Sequence, residues 1–126
     1  MANAPERFDA VFLPDGVSKI SYEHPMNDPS TAVFRIERED HTIGNLLRMQ
    51  LLRDKNVIFA GYRQPHPLQH HIELRVKVKQ PSSLSEESPV TALIEAITDL
   101  DQELNLLQDR FQFAVGRAQA AQSETG

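Results

Sequence analysis

Apolar residues recur with two different periods along the chain, and the switches between those periods mark its elements. Ile72, Leu74, Val76 and Val78 alternate strictly with Glu73, Arg75, Lys77 and Lys79. That pattern predicts a strand with one face in a core and the other in water, as in an antiparallel sheet. Ala32, Phe34 and Ile36 alternate with Val33, Arg35 and Glu37 in a second strand. Val57 to Tyr62 is a short apolar run rich in β-formers. Pro65 and Pro67 stop it, because proline cannot donate to a sheet ladder. Val17 to Tyr22 is a weaker strand candidate, followed by a loop over Glu23 to Ser30. Ile43, Leu46, Leu47 and Leu51 recur instead at helical spacing, after Asp40 and Thr42, either of which can cap a first turn. Two residues are unusual in that helix. Gly44 costs about 1 kcal/mol relative to alanine, which points either to a loosely placed helix start or to a close approach of another backbone there. Asn45 competes for backbone hydrogen bonds, which points to a specific bond from its side chain.

The longest pattern begins at Ser88-Pro89, with serine suited to the N-cap and proline to the first helical position. Val90, Leu93, Ile97, Leu100, Leu104, Leu107, Phe111, Ala114 and Ala118 then fall at alternating spacings of three and four, a heptad seam. A helix ending at Ala118 would be about 45 Å long. A compact chain of this size is roughly 36 Å across. The helix is therefore expected to overhang its own domain and face a partner. Leu106 and Phe113 lie nearly opposite the seam, among Glu95, Asp99, Gln102 and Asp109. A second neighbour is the simplest reason to keep those two apolar.

These elements give an α+β fold in the order β-β-α-β-β-α, a sheet of about four strands with two helices on one face. The 126 residues suit one domain, read as residues 1–118 with an N-terminal arm over 1–16. The arm holds Phe8, Val11, Phe12 and Leu13, a cluster expected to pack on something, and ends at the turn signal Pro14-Asp15-Gly16. Residues 119–126 are small and polar and are expected to be a disordered tail.

Composition narrows the function. A net charge of -5 and a pI near 5.5 argue against a free-standing nucleic-acid binder, which usually has a basic face. Arg75, Lys77 and Lys79 share one strand face, and a single-stranded nucleic-acid module using them is the alternative of a different class. No aromatic residue alternates with them along that strand, and a solvated strand face is the plainer reading. The absence of cysteine excludes disulfides and thiolate zinc sites. His70 and His71 are adjacent and would point to opposite faces of a strand, while Pro67 separates His66 from His70. No metal or other cofactor is expected. Glu39-Asp40-His41 has no activated nucleophile beside it, and helix capping accounts for Asp40 and Thr42. An enzyme is not expected. The polar opening residues and the lack of a long apolar run predict a soluble intracellular protein with no membrane partner.

The stretch E-D-H-T-I-G-N from Glu39, then eleven residues, then V-I-F-A-G-Y from Val57 and His66-Pro67, resembles the signature of the small α-like subunits of archaeal and eukaryotic RNA polymerases. T-I-G-N-L-L-R from Thr42 to Arg48 is also similar to the first helix of the bacterial α subunit's amino-terminal domain. The opening N-A-P-E-R-F, from Asn3 to Phe8, is most similar to the RNA polymerase II branch. A similar motif belongs to the paralogous small subunit shared by polymerases I and III, and only that opening separates the two. The resemblance implies an α-type dimerisation fold and a non-catalytic assembly role in the nucleus. It implies a heterodimer with the larger α-like subunit, on which the two large catalytic subunits assemble, without direct contact to nucleic acid. By the same resemblance the dimer interface comprises Ile43, Gly44, Asn45, Leu46 and Leu47 of the first helix. From the second it takes Val90, Leu93, Ile97, Leu100, Leu104, Leu107 and Phe111. Arg48 matches an arginine associated with large-subunit contacts.

Overall fold

The computed structural model describes residues 12–79 and 88–125. The elements are β1 (Ile20–Glu23), β2 (Thr31–Glu37), α1 (His41–Leu51), β3 (Val57–Arg63), β4 (His71–Val78) and α2 (Pro89–Thr125), with a short 3-10 turn at Pro25–Asn27. The strands form one antiparallel sheet in the order β1-β2-β4-β3. Most of the N-terminal arm, including Phe8 and Val11, lies outside the described residues.

The alternating strands build the core in register. Phe34 pairs with Leu74, Ala32 with Val76 and Ile36 with Ile72, which puts all six on one face, and all six are buried. Val78 continues that face along β4, and Ala60 of β3 joins it opposite Val76. Both helices lie against it. From α1 come Leu47 and Leu51, one turn apart, and from α2 come Ala92, Leu93 and Ala96. The alanines let the helix axis approach the sheet closely, and Leu100 is the last residue of α2 packed on this core. Thr31, Val33, Arg35 and Glu37 point to the open side, with Glu73, Arg75 and Lys77 opposite them.

The caps are the expected ones. Thr42 N–H donates to Asp40 Oδ1 at 2.9 Å, so Asp40 rather than Thr42 is the N-cap of α1. Thr91 N–H donates to Ser88 Oγ at 3.1 Å ahead of Pro89. Gly16 takes φ 82° in the turn after Pro14. Two expectations change. The neighbour that requires Gly44 is not another backbone: a Cβ there would lie 2.5 Å from Cδ2 of Tyr62. That ring is held by the 3.0 Å hydrogen bond between its hydroxyl and Nδ1 of His41. The last helix also does not stop at Ala118 with a disordered tail beyond it. It runs to Thr125, because Gln119, Ala120, Ala121 and Gln122 are good helix formers that no glycine or proline interrupts.

Two measurements test this packing. Gly44→Ala gains about 1 kcal/mol of helix propensity but must displace the Tyr62 ring, an overpacking cost of about 1–3 kcal/mol. A lowered Tm in thermal unfolding is the expected net result, and a raised Tm would show that the ring yields freely. His71, on β4, is almost fully buried, and desolvation holds its pKa below the ordinary 6.5. The folded chain therefore favours the neutral ring, and its contribution is complete above the unfolded value. It is lost as pH falls from about 6.5 through the folded value. Urea titrations should show that acid-side loss in the wild type and a smaller one in His71→Asn.

Candidate dimerisation interface

Beyond Leu100, α2 leaves its own domain. Every residue from Asp101 to Glu124 is exposed, an overhang of about 36 Å at 1.5 Å per residue. One tie to the rest of the chain is the 3.3 Å contact from Arg53, just past α1, to Glu103. The overhang is not polar. Leu104 is 56% exposed, Leu107 65% and Phe111 67% along the seam, with Val115 beside them, and Leu106 and Phe113 are exposed on the other side. A contiguous apolar surface of this kind marks an interface rather than a solvated helix. The same side of the seam faces the home sheet through Leu93 and Leu100, so one continuous stripe starts as core and ends in the open.

The structure divides the sequence-predicted interface in two. Asn45, Leu46, Ile97, Leu104, Leu107 and Phe111 are exposed and available to another chain. Gly44, Leu47 and Leu93 are buried within the chain, and Ile43, Val90 and Leu100 pack partly against its core. These six also serve the fold from within the chain. A helix that lies on a sheet spends the positions nearest that sheet on it, and heptad spacing alone does not say where the sheet ends. Asn45 makes the specific bond expected of it, accepting from Nη2 of Arg48 at 2.7 Å, and also donates to Sδ of Met49 at 3.6 Å. Arg48 is thereby held along the outer side of α1.

Four exposed apolar residues of the helices escaped the sequence reading: Met49 and Leu52 around α1, and Ile94 and Val115 on α2. Two of them had a signal. Met49 follows Leu46 by three residues and Ile94 precedes Ile97 by three, so both extend exposed faces. The charges of the two helices are opposite. From Pro89 to Asp109, α2 carries Glu95, Asp99, Asp101, Glu103 and Asp109 and no lysine or arginine. From His41 to Leu51, α1 carries Arg48 and no carboxylate. The exposed surface is thus apolar, with an acidic long arm.

The open face of the sheet has a different character. Arg63 donates to Glu73 at 2.9 Å and Arg35 bonds Glu37, so much of its charge is paired internally. Phe59 stands opposite Lys77, an aromatic neighbour the strand's own sequence does not reveal. Carboxylates are mixed throughout this face, which is not the basic track that nucleic-acid backbones require. Among the described residues no group of three or more His, Cys, Asp or Glu could hold a metal ion, and no helix is long and apolar enough to cross a membrane.

Comparison with known proteins gives this surface a context. Residues 31–110 match the family model described as the RNA polymerase Rpb3/Rpb11 dimerisation domain. A relative from Caenorhabditis briggsae named "Probable DNA-directed RNA polymerase II subunit RPB11" is 44% identical over 125 residues, 98% of each chain. A Dictyostelium discoideum protein named "DNA-directed RNA polymerase II subunit rpb11" is 39% identical over 109 residues, 86% of this chain and 87% of that one. Among solved structures, DNA-directed RNA polymerase subunit L from Thermoplasma acidophilum superposes with a TM-score of 0.63 over 82% of this chain and 96% of that one. At 21% identity it shows the fold alone.

The separation of arm from core is directly testable. Leu104→Asp/Leu107→Asp should leave circular dichroism and protease resistance of the sheet unchanged, because neither side chain is in the core. Ile72→Asp/Leu74→Asp should unfold the chain, since each charge would be buried without a partner. Equal loss of structure in both variants would make the overhang part of the fold.

Proposed function

The chain belongs to the RNA polymerase Rpb3/Rpb11 dimerisation-domain family, and from that premise we propose that it is a structural subunit of RNA polymerase II. Its work is pairing. It joins a larger α-like subunit through α1 and α2, and the pair forms the platform on which the two catalytic subunits assemble. The chain contributes no catalytic group, and its place is the nucleus. The observation that carries this reading is the apolar overhang of α2, which its own sheet cannot cover. Polymerase II is favoured over the subunit shared by polymerases I and III because relatives spanning almost the whole chain carry that name. Asn45, Leu46, Met49 and Leu52 on α1, with Ile94, Ile97, Leu104, Leu107 and Phe111 on α2, are assigned to the interface. Gly44, Leu47 and Leu93 support it from within.

Expressed alone, the chain is expected to self-associate or precipitate. Co-expression with the larger α-like subunit should give a soluble one-to-one complex. Burying a leucine contributes about 1.5–3 kcal/mol, so losing Leu104 and Leu107 together should weaken pairing by about 3–6 kcal/mol. That is a fall of roughly 10²–10⁴ in affinity, measurable by titration of Leu104→Asp/Leu107→Asp. A monomer stable to dilution, or normal pairing by that variant, would overturn the proposal.

A further inference from the structure

The open side of the sheet carries a second feature, away from the helices, where the β2–α1 turn meets the segment before β4. Arg35, Glu37, Arg38, Leu68, Gln69, His70 and His71 surround a shallow notch of about 310 Å³. Arg38 has a left-handed backbone, φ 57°, which costs a residue of this type roughly 1–3 kcal/mol. The conformation is fixed by its N–H, which donates to the carbonyl of His70 and ties the two segments together.

Charge around the notch is almost fully matched, with one exception. Glu37 is taken by Arg35, Glu39 by Lys19 at 2.8 Å and Glu73 by Arg63. These three carboxylates thus each have another cation, and the Arg38 guanidinium has no carboxylate within ion-pair distance among the described residues. Arg38 Nε and His70 Nε2 are both buried and have no hydrogen-bond partner among the described residues. Buried nitrogens of this kind are rarely left without an acceptor. Arginine Nε is always a donor, and His70 Nε2 is one in the tautomer with the proton there. At the rim Leu68 is 80% exposed, an apolar side chain that nothing in the described fold covers.

We propose that this notch receives a glutamate or aspartate side chain of a protein partner, flanked by an apolar residue that packs on Leu68. A carboxylate supplies the single negative charge that the Arg38 guanidinium lacks. Phosphate suits it less well, because Glu37 and Glu73 beside the notch would repel a second negative charge. A free ion would also leave Leu68 unused. A nucleic-acid strand needs a run of cations, and here one is unmatched. Because Arg35, Glu37 and His71 lie on the open face, this contact and the helix pairing would occupy different surfaces.

The test uses the full chain in the assembly in which it purifies. The probes are the capped peptide acetyl-Leu-Glu-Leu-amide, its glutamine counterpart, and inorganic phosphate at matched ionic strength. The readouts are the NMR signals of the His70 ring and the Arg38 Nε–H. The glutamate peptide should shift both saturably with Kd about 1–10 mM, a plausible strength for one ion pair with an apolar contact. The glutamine peptide should bind at least tenfold more weakly. Arg38→Asn should abolish the His70 shift while preserving the fold, since asparagine tolerates the left-handed backbone. Leu68→Ser should weaken the peptide several-fold. Equal binding of the two peptides, or an unchanged shift in Arg38→Asn, would overturn the assignment. So would saturation by phosphate without saturation by the glutamate peptide, which would make the notch a free-ion site.

Discussion

One mismatch of lengths governs this molecule: α2 is far longer than the sheet it lies on. Its 37 residues extend about 55 Å, while strands of seven or eight residues span about 25 Å. The sheet can cover only the first three turns. A helix continuing past its support is ordinarily polar all round or marginal, because isolated helices gain little beyond propensity in water. Here the unsupported part keeps leucine and phenylalanine, which makes the free chain incomplete as a folding unit. A second surface along the stripe would resolve the mismatch.

The remainder of the fold follows from holding that helix at a fixed angle. The anchor is the central pair β2 and β4, whose inward residues are all buried and matched across the register. On this floor α2 rests through Ala92 and Ala96, small enough for close approach, with Leu93 and Leu100 as wedges. Substituting larger residues at the alanines would lift the helix and swing its far end, since a small change at the base is multiplied along a rigid rod. Core packing near residue 96 therefore sets the position of residues near 111, although no contact joins them.

Much of this was legible in the sequence. Strict alternation placed β2 and β4, and Asp40 and Ser88 announced the helix starts. The seam from Val90 to Phe111 required a helix too long for its domain. Three things were not legible, each for a physical reason. Which seam positions are core depends on where the sheet ends, a three-dimensional length that a one-dimensional period does not contain. The demand for glycine at position 44 comes from Tyr62, eighteen positions away, so the local cost was visible while its cause was not. The unmatched charge of Arg38 emerges only when its neighbours' partners are known, because Lys19 and Arg63 are distant in sequence from the carboxylates they neutralise.

The division within α1 explains why so short a motif can be so specific. Along Ile43 to Leu47 successive side chains alternate between obligations. Gly44 and Leu47 answer to the sheet and to Tyr62, while Asn45 and Leu46 face outward. Asn45 accepts from Arg48, so a residue poor for helix formation is also the one that fixes the outward arginine. Relaxing any one of these positions would disturb either the fold or the presented surface, and a replacement must satisfy both. A run of residues under two independent constraints has few acceptable sequences. The same reasoning predicts looser requirements in the distal half of α2, where no side chain answers to the sheet and apolar residues of similar volume can exchange.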